Sequence, residues 1–147
     1  MKQTTIAQQL QQEGFVLTHS MGVSMQPMLK QQTEQLLIEK PDTQPRKGDV
    51  VLFCRSSGQY VLHRVIRVEK GHYLILGDNC YGKPEKVKLQ NIIGILKGFY
   101  RGNNYIDCRT NRGYRVYSFL WRLSYPIRFP LHHCLGFLRR VIKRLRR

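Results

Sequence analysis

Ser24 lies in the stretch Gly22-Val23-Ser24-Met25-Gln26-Pro27-Met28-Leu29, a single hydroxyl among small and apolar residues. A serine hydroxyl attacks a carbonyl effectively only when a nearby base takes its proton, so the chemistry depends on which base the chain offers. His63 stands in Tyr60-Val61-Leu62-His63-Arg64-Val65-Ile66, where two-residue alternation puts Val61, His63 and Val65 on one face of an expected strand. An imidazole flanked by valines is partly desolvated, which favours the neutral form that accepts a proton. Lys30, Lys40 and Lys47 are poorer bases, because polar and turn surroundings keep a lysine charged. Two acidic residues follow, Asp78 in the turn Gly77-Asp78-Asn79, and Glu85. Taken one at a time, all four residues have ordinary structural readings: a turn serine, a core histidine, a turn aspartate bonded to its own backbone, and a solvated glutamate.

Their order along the chain changes that balance. Ser24-Met25-Gln26-Pro27, then Gly48-Asp49-Val50-Val51-Leu52-Phe53, then His63-Arg64-Val65, then Gly77-Asp78-Asn79 resembles the catalytic core of type I signal peptidases, in the serine peptidase superfamily that includes LexA. The likeness covers residues 20 to 97. It is closest to the serine-histidine branch typical of the endoplasmic reticulum, since histidine precedes Arg-Val where most bacterial members carry a lysine base. The resemblance implies Ser24 as nucleophile, His63 as general base and the backbone N–H of Ser24 as an oxyanion donor. It also implies an acidic residue that orients the imidazole. Asp78 matches the aspartate of the family's Gly-Asp-Asn motif, and Glu85 is the approximate counterpart of an acidic residue further on. The family usually has a serine two residues before the nucleophile, and this chain has Gly22, so oxyanion stabilisation is expected to rest on backbone amides in a slower enzyme. No cofactor or metal ion is implied.

The elements that must position these residues can be read from periodicity. Ile6 and Leu10 amid polar residues predict a short amphipathic helix over Thr4 to Glu13, stopped by Gly14. Short β-rich runs follow at Leu36–Ile38, Val50–Phe53, Tyr60–Val68, Tyr73–Leu76 and Ile92–Phe99, separated by Lys47-Gly48-Asp49, Ser56-Ser57-Gly58, Lys70-Gly71 and Gly77-Asp78-Asn79. A polar stretch from Tyr100 to Arg112 predicts one more hairpin. The expected fold is thus mainly β: a β-hairpin catalytic domain of signal-peptidase and LexA type with a short N-terminal helix and C-terminal amphipathic helices. The catalytic domain is expected over residues 1–112 and a basic helical tail over 113–147. Four widely spaced cysteines fit neither a zinc site nor a dithiol motif and read as reduced thiols.

Net charge is +16, and from Cys108 onward there are eleven Lys or Arg and no acidic residue. In that tail, Val116, Phe119, Leu120 and Leu123 form one apolar stripe, and Leu131, Leu135, Leu138, Ile142 and Leu145 form another, with Pro126 and Pro130 between them. Such basic amphipathic stretches favour an anionic membrane surface over nucleic acid as partner. The N-terminus lacks the pattern of a secretory signal, and Val116–Leu138 carries Arg122, Arg128 and two prolines, which disfavours a membrane span. The expectation is a peripheral enzyme on the cytoplasmic side that cleaves leader or signal segments of peptide or protein substrates. The competing readings are a LexA-like self-cleaving regulator, disfavoured by the 23 residues that precede Ser24, and a membrane or nucleic-acid binder with a vestigial site.

Overall fold

The computed structural model describes residues 5–20 and 22–145, with side chains at all of these except positions 129, 132, 133 and 135–145. Helix α1 (Ile6–Glu13) starts where Thr5 can cap it: the Thr5 hydroxyl accepts from the Gln8 backbone N–H, and the Gln8 side chain accepts from that of Thr5. It ends at Gly14, whose φ of 81° is left-handed and whose N–H reaches the Leu10 carbonyl. Leu10 is the residue that this helix buries.

Eight strands follow: β1 (Phe15–His19), β2 (Gln35–Glu39), β3 (Val50–Cys54), β4 (Tyr60–Glu69), β5 (His72–Leu76), β6 (Glu85–Val87), β7 (Ile92–Arg101) and β8 (Asn104–Asp107). They form one antiparallel sheet in the order β1-β2-β7-β3-β4-β5-β6, with β8 also on β7. The mainly β architecture expected from alternation is therefore observed. β7 is its hub, because one edge pairs with β2 and the other is divided between β3 at Ile92–Ile95 and β8 at Gly98–Arg101. The expected hairpin after Tyr100 is β7–β8. Strands β1 and β6 were not anticipated, β1 because it follows α1 across a single glycine and β6 because three residues are too short to show a period.

Strand β3 reads Val-Val-Leu-Phe without alternation because both its faces are buried. Val50 and Leu52 join Leu10, Val16, Met25, Leu29, Leu36 and Ile38 on one side, whereas Val51 and Phe53 join Val61, Val65, Tyr73 and Ile75 on the other. The sheet therefore serves two cores, and the Ser24 segment packs into the first through Met25, Met28 and Leu29.

Helix α2 (Arg112–Leu145) departs from the expectation in two ways. Pro126 and Pro130 lie inside one continuous helix rather than dividing two; a proline removes one backbone bond and crowds the preceding turn, which bends a helix without obliging it to stop. Its first turns are also part of the domain, since Tyr114, Ser118 and Trp121 are buried against the sheet and Phe99 packs on Tyr114. Tyr114, Ser118 and Trp121 lie beyond the boundary expected between residues 112 and 113. The second apolar stripe, from Leu135 onward, lies outside the described side chains. Among the described residues no helix is long and apolar enough to cross a membrane.

Candidate active site

Ser24 sits in a compact turn between β1 and β2. The turn closes on itself through Gln26 N–H to Val23 O at 3.1 Å and Leu29 N–H to Met25 O at 2.9 Å, and the Gln26–Pro27 peptide is cis. Buried Met25 and Leu29 anchor its underside, leaving Ser24 half-buried at its top. A carboxylate with no sequence signature holds its far end. Buried Glu34 accepts from Lys30 N–H at 2.9 Å and from Arg101 Nε at 2.5 Å, and the same guanidinium donates to Met28 O at 2.9 Å. The turn is in this way tied to β7.

His63 projects from β4 between Val61 and Val65 and is only 5 % exposed, its ring edge-on to Phe53 with centroids 6.1 Å apart. A methyl group placed on Gly77 would lie 3.0 Å from His63 Cδ2, 2.6 Å from the Ser24 carbonyl oxygen and 2.8 Å from Cys80 Sγ, so the ring lies near the backbone of the Ser24 segment. Nδ1 lies 3.6 Å from Glu85 Oε1 and has no hydrogen-bond partner among the described residues. A closure of about 0.7 Å would make that contact a hydrogen bond, and catalytic contacts commonly tighten in this way when substrate binds.

Glu85 is itself held. Arg55, at the end of β3, grips its carboxylate with both Nε, at 2.8 Å, and Nη2. These hydrogen bonds keep the Glu85 carboxyl below the ordinary glutamate range. Burial pushes His63 below the ordinary imidazole value; the Glu85 carboxylate pulls it back up, and the Arg55 charge lowers it again. Near neutral pH the site therefore pairs a neutral imidazole with an ionised carboxylate, the protonation states that a general base and its orienting partner require. Cys80, whose Sγ lies beside the same Gly77, has its thiol pushed up by burial and stays protonated near neutral pH.

Asp78 is committed elsewhere. Its carboxylate takes a two-pronged grip from Arg64, Nε and Nη2 each at 2.8 Å, and both side chains are fully buried. Tyr117 OH adds a bond to Oδ2 at 3.2 Å, and Trp121 Nε1 donates to the Asp78 carbonyl at 2.9 Å. Of the two candidate orienters, then, Glu85 faces the imidazole, while Asp78 fastens its turn to α2. The next residue in that turn holds the Ser24 segment, with Asn79 N–H donating to Ser24 O at 2.7 Å and Nδ2 to Val23 O at 3.2 Å. Arg55 and Glu34 carry no signal in the sequence, and Asn79 appears there only within the Gly77-Asp78-Asn79 motif, because each acts on a partner distant in the chain.

Ser24 and His63 line one cleft of about 590 Å³ together with Cys80 and the apolar side chains of Leu36, Ile38, Leu52 and Leu62. Lys30, Lys40 and Lys47 are exposed and none of them lines it. Gly22 does line it, and the space where a side chain would begin at that position is empty within 4 Å. All four cysteines are free thiols, and no group of His, Cys, Asp or Glu among the described residues is arranged to hold a metal ion. No protein-family model matches the chain, and no curated protein matches it.

Proposed function

We propose that the chain is a serine endopeptidase of signal-peptidase type, with the fold that the likeness to that family implies, and that it cleaves leader or signal segments of other peptides or proteins. The observation that carries this reading is the buried imidazole of His63, which lines one cleft with Ser24 and has Nδ1 3.6 Å from the Glu85 carboxylate. In the reaction, Ser24 Oγ attacks the peptide carbonyl carbon as its proton passes to His63 Nε2, and the backbone N–H of Ser24 donates to the developing oxyanion. The imidazolium, stabilised by Glu85, gives that proton to the leaving amine. Water activated by the same nitrogen then releases the acyl group from Ser24. The apolar lining of the cleft suits an extended chain that presents small or apolar side chains, as leader segments do.

A fluorophosphonate probe tests the reading directly. The full chain is expected to be labelled, Ser24→Ala to be unlabelled, and His63→Ala to react about 10² to 10⁴ times more slowly. Because the two groups act as one proton-transfer unit, the double variant should be no slower against a leader peptide than either single one. Labelling that survives in Ser24→Ala, or a wild-type chain that neither labels nor cleaves, would remove the proposal.

A further inference from the structure

Helix α2 has a second apolar face, which the fold leaves uncovered. Val116, Phe119, Leu120, Leu123, Ile127 and Leu131 recur at three- and four-residue steps, and each is between 55 % and 67 % exposed. They lie on the side of the helix opposite Tyr114, Ser118 and Trp121, which bury it in the domain. Single apolar residues are ordinary on a protein surface, but six large ones in one continuous row are not. Along one flank of the row the charge is predominantly positive. Arg112, Arg115 and Arg122 of the helix and Arg46, Lys47 and Arg109 beside it line an open groove in which Asp49 is the sole acidic lining residue. None of these six cations pairs with a carboxylate side chain among the described residues.

The geometry points to this face of α2 as a docking surface for an anionic lipid bilayer, with the helix lying in the plane of the interface. The apolar row then enters the acyl boundary while the guanidinium groups meet headgroup phosphates. A nucleic acid would satisfy the cations and leave six apolar side chains in water. A second copy of the chain would cover the row but bring two basic grooves together. An acidic bilayer satisfies both features at once, and the contact is peripheral because no helix among the described residues can cross a membrane. Docking would also fix the cleft relative to the lipid, since the inner face of α2 holds Asp78 through Tyr117 and Trp121, and the adjoining Asn79 holds Ser24.

The test is co-sedimentation of the full chain with vesicles of phosphatidylglycerol and phosphatidylcholine in equal parts, and with phosphatidylcholine alone; it does not depend on peptidase activity. Binding to the mixed vesicles should be at least about tenfold tighter, and high salt should weaken it but leave a remainder carried by the apolar row. The variant Leu120→Asp with Leu123→Asp, changed only on the exposed face, should lose about tenfold or more while keeping the wild-type melting temperature. Arg112→Gln with Arg115→Gln tests the rim independently and should lower the preference for anionic lipid by about tenfold. The proposal is overturned by failure to bind mixed vesicles, by equal binding to both vesicle types, or by undiminished binding of the Leu120/Leu123 variant. It is equally overturned by a wild-type dimer that this variant dissociates, or by duplex nucleic acid binding that outlasts loss of the row.

Discussion

At the scale of single residues, the site is a line of charge and proton affinity running from Arg55 through Glu85 to His63. If, as proposed, the neutral imidazole is the general base, activity should fall as pH drops through the pKa of His63. Burial holds that pKa below the ordinary value, so the acid limb of kcat/KM should lie below about pH 6.5. Its two charged neighbours act in opposite senses. Glu85→Gln removes the group that raises the pKa, so it should move the limb lower and cut kcat by about 10² to 10⁴. Arg55→Gln removes a group that lowers the pKa, so it should move the limb higher. A pH–rate profile of each variant checks both directions, and a shift of the same sign in both would remove Glu85 from its role. Gly22 offers a gain. The space around it is open, and in the resembling family a serine at this position helps to hold the oxyanion. Since one such donor is commonly worth about 10² in kcat, Gly22→Ser should raise kcat by about tenfold or more without lowering the melting temperature.

At the scale of elements, β4 carries both a candidate site residue and a structural one. Successive residues point to opposite faces, so His63 shares a face with Val61 and Val65 while its neighbour Arg64 lies on the other, in a cage formed by α2. There the guanidinium lies 5.6 Å from the ring centre of Tyr114 and 5.8 Å from those of Tyr117 and Trp121. Burial opposes its charge, but hydrogen bonds from Arg64 to Asp78, together with the neighbouring charges, outweigh it and raise the pKa. The cation is therefore permanent and must be matched. Asp78→Asn would leave it unmatched and should cost about 3 to 5 kcal/mol, seen as a lower midpoint in chemical denaturation with a parallel change in Trp121 fluorescence. Catalysis should suffer as well, because the same turn holds Ser24 through Asn79. If the Asp78 carboxylate served the imidazole instead, the substitution would cost activity and leave stability near the wild-type value.

For the whole molecule, the first turns of α2 are packed into the domain, since Tyr114, Ser118 and Trp121 are buried. Ending the chain at Arg112 would remove Tyr114, Ser118 and Trp121 and expose a buried ion pair to water. That truncation should aggregate or melt without cooperativity. Ending it at Arg128, whose guanidinium lies 4.5 Å over the Trp121 ring, keeps the inner face of α2 and should melt as one unit near the full-length temperature. Calorimetry of the two truncations makes the comparison. Equal cooperative melting of both would return the boundary to residue 112. The described part of the helix then has two faces, one completing the core and one exposed.

Whatever depends on a short window was legible in the chain itself. The capped start of α1 and its glycine stop, the alternation that puts His63 between two valines, the turns between strands and the apolar rows of α2 each rest on neighbours fewer than ten residues apart. The candidate nucleophile and base were legible too, through the order of four motifs. Tertiary structure alone decided which acid faces the imidazole, what holds that acid and where the domain ends. Glu85 meets Arg55 across thirty residues, and Asp78 meets Arg64 across fourteen and Tyr117 across thirty-nine. Such pairings follow from strand order and crossover, and a one-dimensional period carries no information about either, since Asp78 in its turn and Glu85 on its short strand have the same local appearance whichever of them reaches the histidine.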